Sequence, residues 1–263
     1  MIESLNSPHV GRVKALIGSK GSRERRAAGA FVAEGLQCFR EAINSNQGPR
    51  ISTLYLTAGA RVKLDELTDL SLLQTFDVSD DVMRAMSETI TPQGILAICE
   101  IPKNTLESIP LDGTRKFIYL SEVQDPGNAG TILRSADAFG MDAVFTSPGS
   151  VDMYSPKVVR STAGSLWHIP VFESIELADL LSSRALHAFT LGAGGSKPLS
   201  QFVSNGDCVA IFGNEARGLA TELLMADIES VHIPMPGLAE SLNLSAAASI
   251  TMYHLANMQI GCD

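Results

Sequence analysis

The chain has 263 residues, 45% of them hydrophobic and 19% charged, with a mean hydropathy of +0.13. That composition excludes a disordered chain and, with 12 prolines, a collagen-like fibre; no run reaches the roughly 18 apolar residues of a membrane span. The formal net charge is −9, which argues against a uniformly basic nucleic-acid binder, but the charge is unevenly placed. Residues 1–50 carry eight Lys and Arg against four Asp and Glu, whereas residues 106–263 carry eight against seventeen. The positive excess centres on Lys14, Lys20, Arg23, Arg25 and Arg26, which reads either as a solvated helical face or as a phosphate-contacting arm. Cys38, Cys99, Cys208 and Cys262 form no Cys-x-x-Cys pair, so neither a zinc site nor a disulfide framework is expected. Met1–Asn6 has no basic flank followed by an apolar run, and the expectation is a soluble, cytoplasmic, metal-free protein.

In chain order, residues 8–19 are helical in pattern, Phe31-Val32-Ala33 is a short strand, and a helix follows from Leu36 to about Asn44. Strands at Ile51–Leu56, Leu72–Phe76 and Gly94–Glu100 alternate with helical stretches near 59–68 and 80–87. Pro102, Asn104, Pro110 and Gly113 mark a linker, which places a domain boundary near 105. Beyond it, short continuous apolar runs at Phe117–Leu120, Ala143–Thr146, Ala188–Leu191, Cys208–Phe212 and Val231–Ile233 suit strands buried on both faces. Helical patterns near 127–139, 155–164, 176–184, 219–226 and 243–258 lie between them or follow. The class is α/β with a mostly parallel sheet.

Ligands of such sheets bind beyond the carboxyl ends of the strands, and three post-strand loops are unusual. In Ser121–Arg134, Asp125 is a natural N-cap and Pro126 fits the first helical position. Arg134 points about 160° from the apolar stripe of the helix that follows, so it is a surface arginine or one aimed into a cleft beside Asn128. In Ile211–Leu219, Gly213 and Gly218 flank Asn214 and Glu215 directly after a buried strand, and glycine allows close backbone approach to a ligand. In Ile233–Ser245, a Pro/Gly-rich loop runs into Asn243, which alone would read as an N-cap. Each loop separately also reads as an ordinary turn; the order of the three is what is specific. Gly192-Ala193-Gly194-Gly195 lacks the full dinucleotide fingerprint, and no phosphate-binding loop or nucleophile elbow is present. The five histidines are scattered and read as structural.

Together the three loops resemble the signature motifs of the SpoU (TrmH-like) branch of the SPOUT RNA methyltransferases. Asn128, Gly130 and Arg134 match the first, Gly213, Glu215 and Gly218 the second, and Ile233-Pro234-Met235 with Ser241-Leu242-Asn243 the third. Residues 1–105 resemble, less sharply, the L30e-like substrate-binding domain that precedes such catalytic domains, through Arg23–Arg26 and Phe31-Val32-Ala33-Glu34-Gly35. The resemblance implies a trefoil-knotted catalytic domain over 106–263 and a homodimer with its active site at the subunit interface. It also implies methyl transfer from S-adenosylmethionine to an RNA ribose 2′-hydroxyl without metal. By position it assigns Arg134, Asn128, Glu215, Ser241 and Asn243 to catalysis and Gly213, Ile233, Leu242, Leu191, Gly192 and Met235 to the cofactor pocket. Arg23, Arg25 and Arg26 are the expected RNA contacts. The reading favours large-subunit (23S) ribosomal RNA as substrate. A transfer RNA 2′-O-methyltransferase and an antibiotic-resistance ribosomal RNA methyltransferase are the alternatives within the class, and a noncatalytic RNA-binding or ribosome-assembly factor is the alternative outside it. A dinucleotide oxidoreductase is a distant third.

Overall fold

The computed structural model describes residues 1–192, 194–214 and 228–258. The chain divides into two compact units, Met1–Lys103 with Tyr154–His168, and Asn104–Met153 with Ile169–Asp263. No helix among the described residues is long and apolar enough to cross a membrane.

Unit 1 runs α1 (Pro8–Ile17), α2 (Gly21–Ala28), β1 (Ala30–Glu34), α3 (Leu36–Asn44), β2 (Ile51–Leu56), α4 (Ala58–Asp65), β3 (Thr75–Asp77), α5 (Asp80–Met86) and β4 (Ile95–Glu100). Its sheet has the order β1-β4-β2-β3, with β4 antiparallel to β1 and β2 and with β2 parallel to β3. Strand side chains alternate between faces. Ala30, Val32, Tyr55, Leu96 and Ile98 therefore join Val10, Val13 and Leu16 of α1 and Val82, Met83 and Met86 of α5 in one core cluster. Ala60 and Leu64, the buried side chains of α4, lie outside that cluster.

The segment 154–168, which the sequence reading leaves in the C-terminal part, belongs to unit 1 because its aromatic side chains pack there. Phe31 meets Tyr154 and Trp167 at ring-centroid distances of 5.1 and 6.1 Å. Trp167 donates from Nε1 to the Pro49 carbonyl (2.9 Å), and Ser45 Oγ donates to the Trp167 carbonyl (2.7 Å). Gly48 makes this approach possible, since a Cβ there would stand 2.6 Å from the Trp167 oxygen. This segment also carries α7 (Pro156–Ser161).

Unit 2 contains β5 (Lys116–Leu120), α6 (Pro126–Ala138), β6 (Ala143–Thr146), β7 (Val171–Phe172), α8 (Leu177–Ser183), β8 (His187–Leu191), β9 (Lys197–Pro198), β10 (Cys208–Phe212), β11 (Glu229–His232) and α9 (Leu244–Asn257). Its seven strands follow the order β7-β6-β5-β10-β8-β11-β9, all parallel. All five residues of β10 are buried, as the unbroken apolar run predicts. Phe117, Tyr119, Phe145, Val209 and Ile211 form a core with Leu177 and Leu180 of α8. Helices α6 and α9 lie outside that core and pack on each other, with Ser135 and Ser249 hydroxyls 2.8 Å apart and Phe139 edge-on to Tyr253 at 5.9 Å.

Candidate active site

Strands β10, β8 and β11 are neighbours, so the loops leaving their carboxyl ends emerge side by side. They enclose a cavity of about 550 Å³. Leu191 ends β8 and Gly192 follows it, Phe212 ends β10 with Gly213 and Asn214 beyond it, and Ile233 and Met235 follow β11. The segment 240–244, Ala247 of α9 and Asn128 of α6 complete the wall. Nine residues expected at the site (Asn128, Leu191, Gly192, Gly213, Ile233, Met235, Ser241, Leu242 and Asn243) thus line one cavity, drawn from segments more than a hundred residues apart in sequence.

Local chemistry fixes the wall. Asp125 caps α6 by accepting from the Asn128 amide (2.7 Å), with Pro126 in the first turn. Asn243 caps α9, its Oδ1 accepting from the Ser245 and Ala246 amides at 2.9 and 3.4 Å. The same side chain donates from Nδ2 to Asn128 Oδ1 at 3.0 Å. One residue thereby starts a helix and ties the first loop to the third. The second loop is tied to the first as well: Asn214 Nδ2 donates to the Glu122 carbonyl (2.8 Å) and the Glu122 amide donates to Ser147 Oγ (2.8 Å). These bonds hold Glu122 at φ 52°, a left-handed conformation uncommon for a residue with a side chain.

The donor set suits an adenosyl cofactor. Leu191, Ile233, Met235, Leu242 and Leu244 offer an apolar wall for a flat base. Main-chain groups at Gly192 and Gly213 lie beside it without side chains, and Glu240 offers a carboxylate to a cationic group. Sequence reasoning missed Thr190, Phe212, Asn214, Ser230, Glu240, Leu244 and Ala247 as wall residues. Glu240 had a legible signal, an acid directly before the Ser241-Leu242-Asn243 stretch. Ala247 had none beyond its place one turn into α9.

Three expectations stand apart from the cavity. Arg134 is exposed on α6 and absent from the wall; it follows Asn128 by six residues, about 9 Å along the axis and about 120° around it. Glu215, with Gly218, lies outside the described residues. Arg25, expected to contact RNA, is only 4% exposed and its guanidinium donates to the Leu16 carbonyl at the end of α1. That assignment is corrected, since the charge serves a helix terminus. Arg23 and Arg26 are exposed. No cluster of three or more potential metal ligands occurs among the described residues.

Comparison with known proteins matches residues 115–253 to the model of the SpoU rRNA Methylase family, and residues 9–97 to an MRM3-like substrate binding domain. The chain belongs to the SpoU rRNA methylase family. It is 34% identical over 236 residues to the 23S rRNA (guanosine(2553)-2′-O)-methyltransferase RlmP of Bacillus subtilis, covering 89% of this chain and 91% of that protein. It is 28% identical to the 23S rRNA (uridine(2479)-2′-O)-methyltransferase of Streptomyces viridochromogenes, covering 94% and 88%. The crystal structure of an AdoMet-bound rRNA methyltransferase from Sinorhizobium meliloti superposes with a TM-score of 0.83 at 28% identity, over 96% of this chain and 95% of that one. As a SpoU methylase the chain is an S-adenosylmethionine-dependent RNA methyltransferase, and the noncatalytic and oxidoreductase readings fall away.

Proposed function

We propose that the chain methylates a ribose 2′-hydroxyl of 23S ribosomal RNA in the cytoplasm, with the cavity at β8, β10 and β11 holding S-adenosylmethionine. The observation that carries this reading is the Asn243–Asn128 hydrogen bond at the cavity mouth, which joins two of the three motif loops around one ligand-sized space. When bound, the cofactor supplies an electrophilic methyl group on a positively charged sulfur. Leu191, Ile233, Met235 and Leu242 exclude water from it, and Gly192 and Gly213 let the main chain approach. Asn128, Ser241 and Asn243 orient the ribose, which turns an encounter into an aligned transfer. Glu215 is assigned a supporting role.

Arg134 is assigned the developing negative charge on the ribose oxygen. The guanidinium is a fixed cation with a planar fork, so it acts by gripping the RNA phosphate beside the target and stabilising the oxygen as its proton passes to solvent water. Its position outside the cavity of its own chain supports a homodimer in which a second copy brings the RNA to it. Leu242 (38% exposed), Ile250 (41%) and Tyr253 (60%) on and beside α9 support the same assembly. The return of α9 to pack on α6, after β11 has been laid outside β8, supports a trefoil knot around the cofactor.

In this reading residues 106–263, apart from 154–168, carry catalysis. Residues 1–105 carry RNA recognition, with Arg23 and Arg26 on phosphates. The test is to map ribose methylation across ribosomal and transfer RNA from cells with and without the gene. Loss of one 2′-O-methyl mark in 23S RNA is expected; loss confined to transfer RNA contradicts the substrate, and no loss contradicts the activity.

A further inference from the structure

Unit 1 has a crevice of its own. Strands β2 and β3 are its parallel pair, and both end at the same side of the sheet, at Leu56 and Asp77. From there α5 joins the core face shared with α1, while α4, whose buried side chains are absent from that core, leaves toward the other face. Diverging connections at the carboxyl ends of parallel strands leave a crevice, the place where open α/β sheets take ligands. Here it is a cavity of about 430 Å³ lined by Thr57, Lys63, Asp80, Arg84, Ile90 and Gln93 among others.

Two features of this crevice point to RNA. The first is the segment 87–94, which carries Ile90 96% exposed although both its flanks are braced. Thr89 donates to the Glu34 carboxylate, Glu88 pairs with Arg160 (3.2 Å), and Gln93 Oε1 accepts from the Leu36 amide (2.9 Å). Gly94 sits at φ +79°, its carbonyl accepting from the Thr57 amide (3.0 Å). A Cβ on Gly94 would stand 2.3 Å from Thr57 Oγ1, so only glycine closes the segment this tightly. An aliphatic side chain held in water by a braced segment offers a nucleobase an apolar surface with little further ordering to be done on binding.

The second feature is charge. Lys63 of α4 and Arg84 and Asp80 of α5 all line the crevice, two cations against one carboxylate. Arg84 is paired with Asp81, whereas Lys63 has no ion pair among the described residues. One available cation beside an apolar tip suits one phosphate and one base. It does not suit a duplex, whose bases are already stacked.

We propose that this crevice seats a single unpaired nucleotide of the RNA substrate, its base against Ile90 and Pro92 and its phosphate on Lys63. The proposal rests on the methyltransferase reading and adds a contact separate from Arg23 and Arg26. The carboxylate of Asp80 and the amide of Gln93 would meet polar edges of the base, and the hydroxyls of Thr57 and Thr91 the sugar.

The test uses the full chain and a short single-stranded RNA of mixed sequence carrying 4-thiouridine. Photocrosslinks are located by mass spectrometry, and affinity is followed by fluorescence anisotropy over a range of salt. Crosslinks within residues 87–94 are expected. Ile90→Ser with Lys63→Ala is expected to weaken binding about tenfold, and Lys63→Ala alone to lower the salt slope by about one. Both sites are exposed, so these variants should fold. S-adenosylmethionine binding by calorimetry should be unchanged in them. Crosslinks confined to residues 20–28 or to unit 2, or unchanged affinity and slope in the variants, would overturn the proposal. A wild-type chain that binds no S-adenosylmethionine would instead overturn the methyltransferase reading, so the two failures are distinct.

Discussion

The two crevices of this chain obey the same topological rule and differ in what they can hold. In unit 2 three adjacent parallel strands end together, and their loops enclose about 550 Å³ behind Leu191, Ile233, Met235 and Leu242. In unit 1 only one parallel pair ends together, and a smaller crevice of about 430 Å³ is lined by Lys63, Arg84 and a projecting Ile90. What separates them is the lining: an apolar wall suits a flat adenosyl group, whereas a cation beside an apolar tip suits a phosphate and a base.

The contrast is broken most severely at Arg134. Arg134→Ala is expected to lower the methylation rate about 10²–10³-fold, the loss seen when a charge-stabilising donor is removed. S-adenosylmethionine affinity should be unchanged, because the side chain is absent from the cavity wall. A parallel fall in cofactor affinity, measured by calorimetry, would place the arginine in the binding wall instead. Arg134→Lys with wild-type turnover would show that a planar guanidinium is not required.

The next effect falls on unit 1. Arg25→Ala leaves the Leu16 carbonyl without its side-chain partner and is expected to cost about 1–3 kcal/mol in urea unfolding. Arg23→Ala and Arg26→Ala should leave stability within about 0.5 kcal/mol and weaken RNA binding. If all three behave alike, burial of Arg25 does not matter to the fold.

Asn243→Ala sharpens the account of unit 2. Loss of the α9 cap is expected to cost about 1 kcal/mol. The variant also removes the tie from the third loop to Asn128, so S-adenosylmethionine affinity should fall as well. Asn243→Asp keeps the acceptor that caps the helix and loses the amide donor to Asn128. It should restore thermal stability and leave affinity reduced, separating the two duties of one side chain.

The smallest effect concerns the thiols. Burial pushes Cys38 and Cys208 up to about 11 and raises Cys99 as well. All three should resist iodoacetamide at pH 8 in the native chain and react in urea, as read by peptide mass mapping. These groups release their protons in the unfolded chain near the ordinary value of 9.0 but hold them when folded. Stability should therefore fall as pH rises from about 9 toward 11; a flat profile there would contradict their burial.

Much of this architecture was legible because local patterns coincide with tertiary roles. The alternation Ile51–Leu56 marks β2, and the unbroken run Cys208–Phe212 marks a strand with both faces covered. The Asp125-Pro126 start of α6 and the Asn243 start of α9 can be read from capping chemistry alone. What stayed illegible depends on distant partners. Val171–Phe172 and Lys197–Pro198 become strands only because β6 and β11 offer them an edge. The strand expected at Leu72–Phe76 is Thr75–Asp77, placed by its pairing with Leu54–Leu56. The switch of 154–168 into unit 1 is bracketed by Pro148-Gly149 and Pro170, which in sequence read as ordinary turns; it is driven by Tyr154 and Trp167 meeting Phe31. The unit 1 crevice has no motif because its walls come from three separate stretches. Arg25 looks like its neighbours in sequence, and its burial against the end of α1 distinguishes it.

The most direct measurement is calorimetric titration of S-adenosylmethionine into the wild-type chain and into Ala247→Trp. Ala247, one turn into α9, lines the unit 2 cavity, and an indole there would fill the space while leaving the loops in place. The account predicts saturable binding to the wild type, none to Ala247→Trp, and thermal unfolding of the free variant close to wild type. Equal binding by both chains would contradict the placement of the cofactor between these loops.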